Sequence, residues 1–257
     1  MKWLTLILLA LLITYLAAGI LLYLKQRDLL YFPSAPVTHH YQTLTIENQG
    51  EHIAITITNP NKAKALLYWG GNGEAVAAGA DVFSRELPEY TTYLVDYRGY
   101  GRSTGEPTEA GILSDALVIY DHIKPQHQSI SLFGRSLGTG VASYVAAQRE
   151  ADKLILITPY DSVESVARDR YSLFPLSLLV KDKYDSLSRV PQIKAKTIIL
   201  IAEYDTVVPK QHAYTLADAF PKKQVETHEI LGSHHNDIAN TPAYHQLLDK
   251  FLNKEEK

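Results

Sequence analysis

The sequence predicts an α/β domain with a mostly parallel central sheet flanked by helices, set behind one N-terminal membrane-length helix. Three observations carry this reading. The runs "KALLYW" (64–69), "TTYLVD" (91–96), "SISLF" (129–133), "KLILI" (153–157) and "TIILIA" (197–202) are almost continuously apolar, as strands covered on both faces are. Stretches with apolar residues three or four apart lie among them, at 74–87, 109–123, 137–148 and 210–220, the spacing of amphipathic helices. Strand–helix alternation of this kind builds a parallel sheet with helices on both sides. The third observation is the uncharged run from Trp3 to Leu24.

That run, 22 residues long, meets the roughly 20 apolar residues a helix needs to cross the hydrocarbon core of a bilayer. The apolar core of a cleaved signal peptide covers only about 7–15 residues and precedes a small-residue cleavage site. No A-x-A site follows this run, and a core helix of a globular domain is seldom apolar all round. Residues 3–24 are therefore read as a transmembrane anchor, with Trp3 and Tyr23 suited to the two interfaces and residues 29–257 forming the body. Lys2 and the free amino group before the span, against Lys25, Arg27 and Asp28 after it, leave the positive-inside bias nearly balanced. The body is expected outside a plasma or inner membrane.

After the anchor, "TLTIEN" (43–48) and "HIAITIT" (52–58) alternate apolar with polar residues, which fits an antiparallel pair with one solvated face. The strand–helix rhythm breaks at about 161–196, a stretch rich in Tyr, Leu and charge that contains Pro175 and Pro191. It is read as a small helical lid insertion over the sheet's edge.

Composition excludes several classes. With 25 Lys+Arg against 28 Asp+Glu the formal net charge is −3, and no basic run occurs, so nucleic acid is not an expected partner. The absence of cysteine rules out disulfides, thiolate metal sites and a cysteine nucleophile. No feature of the sequence sets the oligomeric state.

Chemistry gathers around Ser136. "GRSLG" (134–138) has G-x-S-x-G spacing between an apolar strand and a helical pattern, the context of a nucleophile elbow. A serine hydroxyl needs a base, and the base needs an orienting group. Asp205, in "AEYDTVVP" (202–209), lies just beyond a strand, and His234 and His235, in "LGSHHNDI" (231–238), follow the last strand-like run. Functional groups of α/β sheets lie in such loops at the carboxyl ends of strands. Each residue also has a plainer role open to it: Asp205 could cap the next helix, and a loop histidine pair could simply be solvated. Glu203 and Asp161 are rival carboxylates. Gly99, Gly101 and Gly105 suit turns with positive φ, and Arg98 and Arg102 are read as structural.

With these residues in hand, the sequence resembles the α/β-hydrolase superfamily, and more narrowly the membrane-anchored serine hydrolases of the Bem46 and ABHD13/ABHD17-like group. The resemblance rests on "YWGGNGE" (68–74), "DYRGYGRSTGEPTE" (96–109), "GRSLG", "LLVKDKYDS" (178–186), "AEYDTVVP" and "SHHND" (233–237). It implies an α/β-hydrolase fold and a Ser136–Asp205–His235 triad. The motif selects His235 because that residue directly precedes Asn-Asp, and D-x-x-V-P selects Asp205. It also implies an oxyanion hole made by the backbone N–H groups of Asn72 and Leu137. Where the group has histidine before Gly-Asn, this chain has Gly70, which puts the local support of that loop in question. The implied activity is hydrolysis of carboxylic esters or thioesters through an acyl-enzyme, with no metal or organic cofactor. Small-molecule or acyl-ester substrates are the expected partners, lipid-like ones if "YSLFPLSLLV" (171–180) does more than pack the lid. A non-catalytic scaffold, or a peptidase or C–C hydrolase on the same fold, is the alternative.

Overall fold

A computed structural model describes residues 2–253. The last four residues of the expected 29–257 body, 254–257, lie outside the described residues.

Helix α1 (Lys2–Leu30) buries none of its residues in the protein, in keeping with a sequence apolar on every side. It extends past residue 24 because the polar segment that follows supports another turn, with Lys25 Nζ 2.8 Å from Asp28 Oδ2. It stops short of Pro33, since the residue before a proline disfavours the helical region.

Eight strands make one sheet: β1 (Gln42–Asn48), β2 (Glu51–Thr58), β3 (Lys64–Trp69), β4 (Tyr90–Val95), β5 (Ser129–Arg135), β6 (Lys153–Ile157), β7 (Lys196–Ala202) and β8 (Val225–Ile230). Their spatial order is β1-β2-β4-β3-β5-β6-β7-β8. β1 pairs antiparallel with β2, and β2 with β4; every later pairing is parallel. The β1–β2 hairpin turns at Gln49 and Gly50, with φ 54° and 82°, the double positive φ that a tight two-residue hairpin needs. Alternate β3 residues feed opposite cores: Leu67 and Trp69 join one buried cluster, Leu66 and Tyr68 the other. Both faces of the sheet are thus covered, which accounts for the continuous apolar runs.

The helices are α2 (Ala80–Glu86), α3 (Glu109–Ile123), α4 (Leu137–Gln148), α5 (Val163–Arg170), α6 (Leu176–Leu179), α7 (Lys210–Ala219) and α8 (Pro242–Asn253). Two expectations change. The helix expected over 74–87 opens with a 3-10 turn at Val76–Gly79, and only Ala80–Glu86 is α-helical. The insertion does not lie over the sheet's edge. It leaves β6, which has β5 and β7 on either side, so α5 and α6 cross the carboxyl ends of the inner strands and line a cavity with Ser136.

Candidate active site

The turn from β5 to α4 sets the position of Ser136. Its φ of 49° and ψ of −116° are strained for a residue with a Cβ, a cost of order 1–3 kcal/mol. The strain is held from both sides: Ser136 N donates to Ile157 O at 2.9 Å, and Thr139 N donates to Ser136 O at 2.9 Å. The flanking glycines are required by close approach. A Cβ on Gly134 would collide with the Gly138 carbonyl, and one on Gly138 with the Trp69 carbonyl.

Two other loops reach this turn. His235 Nε2 lies 2.8 Å from Ser136 Oγ, and His235 Nδ1 lies 2.7 Å from Asp205 Oδ2. A carboxylate accepts from Nδ1–H, which leaves Nε2 to accept the serine proton. The His235 and Asp205 side chains are only 6% and 2% exposed. Asp205 follows β7, and its Oδ1 accepts from the amides of Val207 and Val208 at 2.9 and 2.8 Å. His234 is turned outward, its Nδ1 3.2 Å from Asp237 Oδ2. Glu203 accepts from Gly232 N at 2.7 Å, and Asp161 lies 2.9 Å from His212 Nδ1. The structure therefore gathers Ser136, His235 and Asp205 and leaves the rival residues in other pairings.

The "GGNG" loop abuts the serine: a Cβ on Gly71 would lie 3.6 Å from Ser136 Cβ. Asn72 and Leu137 line the same cavity as Ser136, and among the described residues neither backbone amide has an acceptor. The Asn72 side chain ties this loop to the chain leaving α1. Its Nδ2 donates to Leu30 O, and its Oδ1 accepts from Phe32 N at 2.9 Å and Tyr100 Oη at 2.7 Å. Burial pushes the Tyr100 hydroxyl up to about 12, so it serves as a donor at ordinary pH.

The question raised by Gly70 has a structural answer. A Cβ there would come within 2.6 Å of Val76 Cγ1 and 3.0 Å of Glu74 Cδ, leaving no room for a histidine as the loop stands. The support comes from residues the sequence reading passed over. Glu74 Oε2 accepts from Gly71 N at 2.8 Å and from Arg135 Nη1 at 2.7 Å, and Tyr97 Oη donates to Gly70 O at 2.7 Å. Burial draws the Arg135 guanidinium down, but Glu74 beside it outweighs this and leaves it raised. A charged residue at the variable position before Ser136, and another right after "GGNG", were the available signals. Arg98 and Arg102 are structural: Arg98 forks onto Asp115 at 2.8 and 2.7 Å, and Arg102 Nη2 donates to Val37 O at 3.0 Å. Gly99, Gly101 and Gly105 all have positive φ. Among the described residues no cluster of three His, Asp or Glu has a metal-site arrangement.

The model of the family described as serine aminopeptidase, S33, matches residues 63–181, a stretch that holds the "GGNG" loop and Ser136 but neither Asp205 nor His235. The uncharacterized protein Rv2307c of Mycobacterium tuberculosis is 30% identical over 248 residues, 88% of this chain and 86% of that protein. The putative alpha/beta hydrolase L404 of Acanthamoeba polyphaga mimivirus is 30% identical over 207 residues, 74% of each chain. The chain belongs to the α/β-hydrolase superfamily. This α/β hydrolase is also 33% identical over 196 residues to the lysophosphatidylserine lipase ABHD12 of Macaca fascicularis, covering 65% of its own length and 49% of that lipase; it thus spans about half of that relative. Of solved structures, the Pyrococcus furiosus esterase Pf2001 superposes with a TM-score of 0.68 at 15% identity, over 86% of this chain and 96% of the esterase. Est1E from Butyrivibrio proteoclasticus with bound ferulic acid gives 0.67 at 19% identity, over 82% and 100%. At such identities the likeness concerns the fold.

Proposed function

We propose that this α/β hydrolase is a membrane-anchored serine hydrolase, of the Bem46 and ABHD13/ABHD17-like kind, that cleaves carboxylic esters or thioesters of acyl-chain substrates. The observation that carries the reading is the continuous line from Ser136 Oγ through His235 to Asp205, with links of 2.8 and 2.7 Å, on a turn strained so as to present the hydroxyl.

In the proposed mechanism His235 Nε2 takes the Ser136 proton as Oγ attacks the substrate carbonyl carbon. The free amides of Asn72 and Leu137 receive the oxyanion, each such donor being worth roughly 3–4 kcal/mol at the transition state. Protonated His235 then returns the proton to the departing alkoxide or thiolate as its bond to the acyl carbon breaks. Water, deprotonated by the same imidazole, attacks the acyl-enzyme and frees the acid and Ser136. Asp205 holds the Nδ1–H tautomer throughout.

Likeness to a lysophosphatidylserine lipase supports a lysophospholipid-type ester as one substrate. So does Arg170, which lines the cavity and, among the described residues, makes only long contacts, of 3.4 Å, to the Thr206 and Val207 carbonyls; its guanidinium is open to an anionic head group. An aminopeptidase, which acts at a free N-terminus, calls for a carboxylate to receive the substrate ammonium. Asp182 lines the cavity, but Arg27 Nε already lies 2.9 Å from its Oδ2, which favours the ester.

The test is fluorophosphonate labelling of the full-length protein, with turnover of p-nitrophenyl butyrate. Labelling should disappear in Ser136→Ala, turnover should also disappear in His235→Ala, and both should persist in His234→Ala. A folded wild type that neither labels nor turns over would put the scaffold reading first.

A further inference from the structure

The cavity at Ser136 has a volume of about 300 Å³, and the membrane-length helix forms one of its walls. Leu22, Gln26 and Leu30 of α1 line it, as do Val166, Leu176 and Leu179 of the insertion. Among the described residues of α1, only Ala18, Gly19, Leu22, Gln26 and Leu30 are partly covered. Their spacing, near four residues, makes one helix face. That face docks on the insertion, while the rest of α1 stays exposed.

The seam is pinned along its length. Gln26 bonds the insertion in both directions, with Nε2 donating to Leu179 O at 3.1 Å and Oε1 accepting from Lys181 N at 2.7 Å. Arg27 forks onto the buried Asp182, and Tyr31 Oη lies 3.0 Å from Tyr184 Oη. Farther along the helix, Tyr15 stacks on Phe174 at 5.0 Å and its hydroxyl donates to Leu173 O at 2.8 Å. Tyr15 lies nine positions before Leu24 in the helix, a rise of about 13.5 Å, so the insertion's tip reaches well into the apolar length of α1. The tip is itself apolar, with Leu173 and Leu178 81% and 80% exposed. Such side chains are disfavoured in water and at home in hydrocarbon. The Leu173 carbonyl is satisfied by Tyr15, as backbone at membrane depth must be.

Resting on the serine-hydrolase reading above, we infer that the acyl-chain subsite is the seam between α1 and the insertion, and that it takes one long acyl chain delivered sideways from the bilayer. The cavity runs from Ser136 to Leu22 and Leu176 within the seam, and the contact of α1 with the insertion continues beyond it to the apolar tip at Phe174. The cavity's volume is at the low end for ligand pockets, about 300–1,000 Å³. The anchor is then part of the specificity pocket, and its end is tied through Leu30 O and Phe32 N to Asn72.

The experiment uses the full-length protein in lipid nanodiscs, with p-nitrophenyl esters from butyrate to palmitate and fluorophosphonate labelling as the report on Ser136. Leu22→Trp and, from the opposite wall, Leu179→Trp each narrow the seam; Leu21→Trp, on the exposed face, is the control. A single misplaced group in an apolar pocket changes discrimination by about tenfold or more. The ratio of palmitate to butyrate kcat/KM should fall by that factor in both seam variants and stay at the wild-type value in Leu21→Trp. Wild-type palmitate preference in both labelled seam variants, or no palmitate preference in wild type, would overturn the subsite. A wild type without labelling or turnover would overturn the hydrolase reading itself, and the subsite with it.

Discussion

Arg135 Nη1 donates to Glu74 Oε2 at 2.7 Å, and this ion pair holds three segments of the site together. Glu74 also binds Gly71 N and the Tyr68 hydroxyl, while Arg135 Nη2 reaches His235 O at 3.4 Å and Asn236 Oδ1 at 3.2 Å. The "GGNG" loop, the turn at Ser136 and the loop that carries His235 therefore share one largely buried charge pair. Removing one partner of such a pair leaves the other charge uncompensated, at a cost of roughly 3–5 kcal/mol. Glu74→Ala should lower stability by about 3 kcal/mol and lower kcat for a butyrate ester far more than it changes KM. Arg135→Lys, which keeps the charge, should fall between. Denaturant titration beside steady-state kinetics reads both; a Glu74→Ala enzyme with wild-type kcat would show that the pair positions nothing.

The choice of carboxylate gives a second expectation. Asp205 alone lies on the His235 Nδ1 side, at 2.7 Å, while Asp161 is engaged by His212 and by Ser162 N. Asp205→Asn should hold the imidazole in the wrong tautomer and lower kcat by about 10⁴-fold. Asp161→Asn should leave fluorophosphonate labelling of Ser136 near the wild-type rate. A larger loss in Asp161→Asn than in Asp205→Asn would reverse the assignment.

Asp96 supplies the pH dependence. Burial raises its carboxyl above the ordinary 3.8, an effect only partly countered by the Arg102 amide and charge. Above 3.8 the unfolded chain has given up this proton while the native state still holds it. The native state therefore binds more protons across that window, and stability falls as pH rises through it. Asp96→Asn has no charge to bury, so its melting temperature should gain on that of wild type between pH 3.5 and neutrality, measured by scanning fluorimetry. A gap that narrows or reverses over this range would mean that the bonds to the ionised carboxylate outweigh burial.

Much of this was legible because it is written in local pattern. The helix expected over 109–123 is α3 itself, since Thr108 caps it by accepting from Gly111 N and its apolar spacing is regular. Ser136 could be placed because strand, glycines and helix are contiguous. Helix α8 was not among the expected helices, although Tyr244, Leu248, Phe251 and Leu252 are buried on it at helical spacing. The Glu74–Arg135 pair spans |i−j| = 61, and nothing local in the sequence ties such residues together. The insertion's position was equally illegible, because one of its supports is α1, whose partner face is marked only by residues 18, 19, 22, 26 and 30 in an otherwise uniform apolar run. The sequence distinguished a helix that could cross a membrane but not the side of it that meets the protein.

His212 carries the last prediction. Its ring bridges two carboxylates, with Nδ1 2.9 Å from Asp161 Oδ1 at the end of β6 and Nε2 2.9 Å from Asp169 Oδ2 on α5. Because His212 sits on α7, this bridge straps the insertion to the body of the sheet. The His212 side chain and that of Asp161 are each 11% exposed, whereas Asp169 is 54% exposed. The two halves of the strap therefore differ in weight. His212→Phe leaves the buried Asp161 carboxylate without its His212 bond and with the Ser162 amide still donating to it, a cost of about 1–3 kcal/mol, and frees α5; Asp169→Asn loosens only the solvated half. Limited trypsin digestion at Arg168 and Arg170 should be markedly faster in His212→Phe and only slightly faster in Asp169→Asn, with fluorophosphonate labelling of Ser136 retained in both. Equal digestion rates in wild type and His212→Phe would mean that the insertion is held by its seam with α1 alone.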